Sequence, residues 1–203
     1  MRVTPVGAST AVLFIECQEG LLGTSSILPA IAEEARAIVP AMGRLAKGAR
    51  EAGATVVHLT FVPVGAGRSL NQRPPLFRGV APAVAHWVPG DPATRPIAEI
   101  GVGPGDLVLP RHSGISPTYG TETFKVLRNM GMRTIVVAGI SVNVAIPLVA
   151  AQAADEDFDV IVPTDAVAGS PAEYAAAMLK HTVAMVATLT TVDELLASLA
   201  TSR

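Results

Sequence analysis

The sequence predicts an α/β three-layer sandwich: a mostly parallel, six-stranded, Rossmann-like sheet with helices on both faces. Three observations carry that prediction. Short apolar, β-branched runs alternate along the whole chain with stretches whose apolar residues recur at helical spacing, the pattern of strand and helix units that builds parallel sheets. Several of the short runs, VLFI at 12–15 and TIVVA at 134–138 among them, are interrupted by no charged residue, as strands buried on both faces require. Half of the 203 residues are hydrophobic, and 16 Pro with 18 Gly supply turns, so one well-buried core and a single domain over 1–203 are expected.

Ala11 to Ile15 is an uninterrupted apolar run ending at Glu16, hence a buried first strand with a carboxylate at its carboxyl end. With a period of two, Val12, Phe14 and Glu16 share one face while Leu13, Ile15 and Cys17 share the other. After a Gly- and Ser-rich loop, Ile31, Ala35, Ile38, Val39, Met42, Leu45, Ala46 and Ala49 recur at helical spacing. Pro29 lies near the start and Gly53 just past the end, which predicts one amphipathic helix. Ala54 to Val62 is the second strand. The proline-rich region from Pro63 to Gly105 shows only a short helix near Thr94 to Glu99. A loop of that length is uncommon unless it covers a site or a subunit contact, and it is assigned that role.

Asp106 to Leu109 is the third strand, ending at Pro110 and Arg111, and Tyr119 to Met130 is a helix closed by Gly131. Thr134 to Ala138 ends at Gly139 and turns into a helix over Val144 to Ala154. Phe158 to Val162 is a strand, Pro171 to Met185 a helix, Ala187 to Leu189 a short strand, and a last helix starts near Val192.

Composition narrows the function classes. A net charge of -2 with no block of like charge recommends neither nucleic acid nor an anionic membrane as partner, which leaves small molecules and protein subunits. One cysteine excludes an intramolecular disulfide and fits a reducing compartment. The first residues, MRVTPVGAST, lack the apolar core of a signal peptide, and no apolar run approaches the roughly 20 residues of a spanning helix, so a cytoplasmic location is expected. Half hydrophobic residues against 16% charged is a large apolar load for one chain, and with the proline-rich loop as a contact it predicts a homo-oligomer.

In open parallel sheets, chemistry gathers where strand carboxyl ends meet helix amino ends. Glu16 ends strand one, Arg111 follows strand three, and the Ser141 to Ala145 turn follows strand four, so three distant segments converge on one sheet edge. Each residue also has a structural alternative: a strand-end carboxylate caps a helix, and an Arg after a Pro is a solvated charge. Together they are harder to dismiss, because a buried Glu needs a cation and Arg111 is positioned to supply one. Cys17, as the neighbour of Glu16, is expected to point to the opposite face and to be a buried structural thiol. His58 lies inside strand two as a core residue, while His112, directly after Arg111, is the histidine placed to exchange a proton in the pocket.

These segments resemble the isochorismatase-like superfamily, also called the cysteine hydrolase family, which includes nicotinamidases, N-carbamoylsarcosine amidases and isochorismatases. The matching pieces are VLFIECQEG at 12–20, LVLPRHSGISPTYGTETFKVLRNMGMRTIVVAGISVNVA at 107–145, and VIVPTDAVAGSPAEY at 160–174. The family's amidases use an aspartate base, a lysine and a cysteine nucleophile; the resemblance puts Glu16, Arg111 and Ala145 at those positions. Alanine supplies no thiol for acyl transfer, and a guanidinium does not exchange protons near neutrality. Glutamate keeps the carboxylate one methylene further out. The isochorismatase branch works without the cysteine, because a vinyl ether needs a proton donor rather than a thiol.

The resemblance further implies an oxyanion hole from the backbone N–H groups of Ser141 and Ala145, a cis peptide before Ser141, and assembly as a homodimer or homotetramer. Ser141, Asn143, His112, Tyr119 and Gln18 make up the expected substrate-binding set. Some nicotinamidases hold a metal after strand two, but FVPVGAGR at 61–68 has no such ligands, so neither metal nor cofactor is expected. Two function classes follow. One is an enzyme acting on a small anionic metabolite by non-thiol acid/base chemistry; the other is a catalytically silent ligand-binding or assembly subunit of the same fold. The first is favoured because the three positions leave a charged pocket rather than an apolar plug.

Overall fold

The computed structural model describes residues 7–201; the leader reading made on the first ten residues falls largely on 1–6, outside the described ones. Its strands are β1 Thr10–Ile15, β2 Thr55–Phe61, β3 Leu107–Arg111, β4 Thr134–Ile140, β5 Asp159–Pro163, β6 Val167–Ala168 and β7 Thr188–Thr190. They form one sheet in the order β3-β2-β1-β4-β5-β7, with β6 against the end of β4, and every registered pair is parallel. The helices are α1 Glu19–Leu22, α2 Pro29–Ala35, α3 Val39–Glu51, α4 Pro75–Ala83, α5 Thr123–Asn129, α6 Ala145–Asp155, α7 Ala172–His181 and α8 Val192–Thr201.

The alternation of side chains along β1 builds both layers. Ala11, Leu13 and Ile15 pack with Leu127 of α5, Ile146 and Val149 of α6 and Ala175 of α7. Val12 and Phe14 pack with Met42, Leu45 and Ala49 of α3 and with Leu195 and Leu199 of α8. Each fully buried Leu, Ile or Phe contributes about 1.5–3 kcal/mol relative to exposure, and all six residues of β1 are buried. A third apolar cluster, including Leu21, Phe61, Phe77, Trp87 and Ile140, gathers at the carboxyl ends of β2 and β4.

The sheet has seven strands rather than six, because Val167–Ala168 pairs with Gly139 and Ile140 over two residues, too short a run to show a period. The single helix expected between Pro29 and Ala49 is two. Pro40 offers no N–H to the preceding turn and its ring clashes with that turn's carbonyl, so the chain breaks at 36–38 and Pro40 opens α3 instead. No helix forms at 94–99; a single 3-10 turn covers Pro92–Thr94. The helix of that region is α4, hidden by Pro75 at its first position and Pro82 near its end. Helix α5 starts at Thr123 rather than Tyr119, because Gly120 takes a left-handed conformation (φ 71) that a right-handed helix cannot continue. No helix among the described residues is long and apolar enough to cross a membrane.

One charged network is buried within the α3 layer. Asp106, just before β3, accepts from Arg50 Nη2 at 2.7 Å, from Arg50 Nε at 3.1 Å and from the Gly103 N–H at 2.8 Å. His58 Nε2 lies 3.0 Å from the same carboxylate, and the His58 ring stacks on Phe14 with centroids 5.9 Å apart. His58 Nδ1 is buried without a partner, so the neutral ring donates from Nε2 and leaves Nδ1 as an idle acceptor. Burial pushes the His58 pKa below its ordinary 6.5, with Asp106 offsetting part of that. Burial works to raise Asp106, but hydrogen bonds from Arg50, His58 and Gly103 outweigh it and hold the carboxyl below its ordinary 3.8.

Both groups therefore bind their protons more readily in the unfolded chain, which makes acid destabilising. The His58 contribution is present above pH 6.5 and declines as the pH falls below it; that of Asp106 is lost below 3.8. Urea midpoints measured from pH 8 to pH 3 are expected to fall in those two ranges. Asp106→Asn is expected to lose about 2–3 kcal/mol at pH 7, less than a fully buried pair because Arg50 keeps 31% of its side-chain exposure. An unchanged midpoint in that variant would contradict this account.

Candidate active site

The strand order reverses direction at β1: β2 and β3 lie on one side of it, β4 and β5 on the other. The crevice at the carboxyl ends of β1 and β4 is thus the topological switch point, where open parallel sheets bind ligands. Ile15 pairs with Leu59 of β2 and Gly139 of β4, and Phe61 pairs with Arg111 of β3. The register alone therefore brings Glu16, Arg111 and the turn after β4 to one edge.

Glu16, directly after β1, takes a left-handed conformation (φ 55), unusual for a residue with a Cβ and costing about 1 kcal/mol or more. Its N–H donates to Leu59 O at 2.9 Å and its carbonyl accepts from Gln18 N at 2.9 Å, which fixes the turn. The period of two stops there. Cys17 consequently packs on the Val12 and Phe14 side rather than with Leu13 and Ile15, its Sγ 3.7 Å from Met42 Sδ. The thiol is 3% exposed, and its burial together with the Glu16 charge pushes its pKa far above the ordinary thiol range, so it is inert.

Gly139 is required by a close approach. A Cβ there would stand 2.3 Å from Ile15 O and 2.7 Å from Cys17 Sγ, and φ at Gly139 is 107°.

Arg111 Nη2 donates to Glu16 Oε1, and the two side chains are 7% and 13% exposed. The guanidinium is pinned from other directions too. Nη1 donates to the carbonyls of Gly114 and Ser113, and Cζ lies 4.4 Å over the Phe61 ring. Nε is buried and has no partner among the described residues. His112 directs Nδ1 to Val62 O at 2.7 Å, and its ring is otherwise exposed. Arg111, His112, Tyr119 and Glu122 line one hollow of about 350 Å³, but Tyr119 itself is 77% exposed.

Gln18 and Asn143 are differently occupied. Gln18 is fully buried; its Nε2 donates to Phe61 O and Thr94 O, both at 3.1 Å, and its Oε1 accepts from Phe61 N at 2.6 Å. Its amide thus ties the proline-rich region to β2 and has no N–H donor left for a ligand. Asn143 exchanges two hydrogen bonds with the Ser170 backbone, at 2.6 and 2.9 Å. The Ser170–Pro171 peptide is cis, and Gly169 makes room, since a Cβ there would lie 2.5 Å from Asn143 Oδ1.

The Ile140–Ser141 peptide is also cis, as the resemblance implied. Ser141 O accepts from Val144 N at 3.2 Å and Ile146 N at 3.0 Å, folding the turn back on the head of α6. Among the described residues no acceptor takes the N–H of Ser141 or of Ala145. Those two donors at a helix amino end, where the dipole is positive, form an anion-seeking surface independent of side chains. Ala145 is 5% exposed. No group of three or more His, Cys, Asp or Glu among the described residues is arranged to hold a metal ion.

A family model described as the isochorismatase domain matches residues 10–194. The chain belongs to the isochorismatase family. This isochorismatase family chain is 31% identical over 193 residues to an uncharacterized isochorismatase family protein, YecD, from Escherichia coli O157:H7, covering 94% of one and 96% of the other. An isochorismatase family protein from Desulfovibrio vulgaris subsp. vulgaris str. Hildenborough superposes with a TM-score of 0.82 at 26% identity, over 95% of this chain and 98% of that one. A cysteine hydrolase from Pseudomonas syringae pv. phaseolicola 1448A shares the fold, with a TM-score of 0.89 at 21% identity over 100% and 97% of the two chains.

Sequence reading did not single out Phe61, the platform under Arg111, or Ser170, the partner of Asn143. The Ser-Pro dipeptide was the one visible sign of the second; for the first, an aromatic residue at a strand end carries no mark of the cation it will meet. Gly139→Ala is expected to destabilise the isochorismatase family fold by about 3 kcal/mol or more, from a strained φ and a clash with backbone that cannot retreat. Thermal and urea unfolding check this, and a loss below about 1 kcal/mol would show that β1 and β4 can part there.

Proposed function

We propose that the protein is a hydrolase-family enzyme acting on a small anionic metabolite by acid/base chemistry without a thiol. Glu16 is the general acid or base. Arg111 and the turn N–H groups of Ser141 and Ala145 hold the anion. The observation that supports this best is the Glu16–Arg111 pair at the switch point, beside a turn whose Ser141 and Ala145 N–H groups have no acceptor among the described residues. A carboxylate is suited to proton transfer, whereas an arginine stays charged and acts by orientation and field. Covalent acyl transfer is disfavoured by Ala145 at the helix head and by the deep burial of the lone thiol of Cys17. Enol-ether hydrolysis and elimination need only a positioned proton and a held anion, and both suit these residues.

Two observations favour a second reading, a silent ligand-binding or assembly subunit. Gln18 and Asn143 are engaged by backbone, and the Leu21, Phe61, Phe77, Trp87 and Ile140 cluster packs at the strand ends. The charged pair within that apolar rim weighs for the enzyme, because an ion pair kept there without function brings little stability over an apolar packing.

Turnover of a panel of small amides, carbamoyl compounds and enol ethers tests the choice. Activity on an anionic, non-amide member is expected, falling about 100-fold or more in Glu16→Gln and indifferent to thiol alkylation. Ligand binding with no turnover on any member would establish the silent reading instead. Ala145→Cys by itself is expected to give no thiol-dependent amidase rate, since groups that act as a unit return little when restored singly. A rate well above the parent in that variant would show the site to be amidase-like and the non-thiol reading wrong.

A further inference from the structure

The hydrogen bonds of Arg111 are uneven. Nη1 is committed to the Gly114 and Ser113 carbonyls, the guanidinium plane rests on Phe61, and the backbone carbonyl of Arg111 accepts from Val62 N at 2.9 Å. The cation is therefore anchored. Its remaining edge carries Nε and Nη2, the two donors whose spacing matches the two oxygens of one carboxylate. Glu16 takes only Nη2, through Oε1, and Nε is left buried with no acceptor. Glu16 is held more loosely: among the described residues Arg111 is the hydrogen-bonding partner of its carboxylate, and its side chain is the more exposed of the two.

We propose that Glu16 is an exchangeable stand-in on Arg111, and that the site takes a compound bearing a carboxylate, which replaces it by bridging Nε and Nη2 together. This rests on the reading of the pocket given under Proposed function. The exchange is favoured by the structure's own shortfall. A ligand carboxylate in that position makes one more charge-assisted hydrogen bond than Glu16 makes, and it satisfies a buried donor that is otherwise idle. The buried cation stays paired throughout, so the large penalty of uncovering it never arises. Exchange also releases the Glu16 carboxylate next to the bound molecule, free for proton transfer. A neutral ligand of the same shape has no means of displacing it, so the pair selects for carboxylates.

Benzoate and its neutral isostere benzamide serve as probes in calorimetric titrations at pH 7. Benzoate is expected to bind Glu16→Gln about tenfold more tightly than the parent, because its competitor for Arg111 is gone. Benzamide is expected to bind both proteins equally, and Arg111→Met to lose benzoate. Equal benzoate affinity in the parent and Glu16→Gln, a matching gain for benzamide, or no benzoate binding to either protein would overturn the proposal. The unsubstituted protein supplies a check that no misfolding can obscure. The Nε–H proton resonance of Arg111 should move downfield on saturation with benzoate, and a resonance that stays in place would also overturn it. Turnover plays no part in these readouts, so a chain that catalysed nothing would still return the tenfold difference.

Discussion

Between Ile15 and Gly139 the first and fourth strands approach until no side chain fits, with a hypothetical methyl group only 2.3 Å from the Ile15 carbonyl oxygen. That approach has consequences in both directions. Because β1 stops there in a left-handed residue, Glu16 turns away from the sheet's alternation toward the crevice, and Cys17 is sent back into the α3 layer. Because β4 runs on past Gly139 to pair with β6, the turn to α6 comes one step beyond the end of β1, beside Glu16. The site is thus a product of how far each strand continues past its neighbour.

Two sets of buried charges share the fold and differ in kind. Asp106 accepts four hydrogen bonds from three residues, binding α3 to the start of β3 and to β2; among its fully buried side-chain atoms in the described residues only His58 Nδ1 lacks a partner. Glu16 and Arg111 form a single contact, with one donor of the cation idle and, among the described residues, no acceptor on the Ser141 and Ala145 N–H groups. A network in which the carboxylate is met from several sides rigidifies, whereas a single contact beside an idle donor keeps interaction energy in reserve for a ligand. That contrast separates the structural cluster from the functional one more sharply than burial does, since both are largely removed from water.

Much of the chain could be read directly. The continuous apolar runs at 11–15 and 134–138 became central strands to within a residue or two, since a strand covered on both faces has to be apolar throughout. Proline defeated the reading at two places for one reason: its effect depends on where in a helix it stands. Pro40 breaks a helix whose apolar spacing is continuous, while Pro75 opens one in a stretch whose prolines predict a loop. Of the named site residues, Glu16 and Arg111 were paired correctly from their strand-end positions. Gln18 and Asn143 were given to a ligand, although the structure commits their amides to Phe61, Thr94 and Ser170.

What the sequence by itself determined is the layered parallel architecture, the family, the absence of a thiol at the head of α6 and the convergence of Glu16, Arg111 and the Ser141–Ala145 turn. All of these follow from local patterning and from the rule that parallel strands present their carboxyl ends together. Only the tertiary structure decided which polar groups remain unspent. A hydrogen bond between Gln18 and Thr94, or a cation resting on Phe61, joins residues tens of positions apart through contacts that no periodicity encodes. Whether a donor such as Arg111 Nε is idle depends on every neighbour at once, and that can be known only when the chain is folded around it.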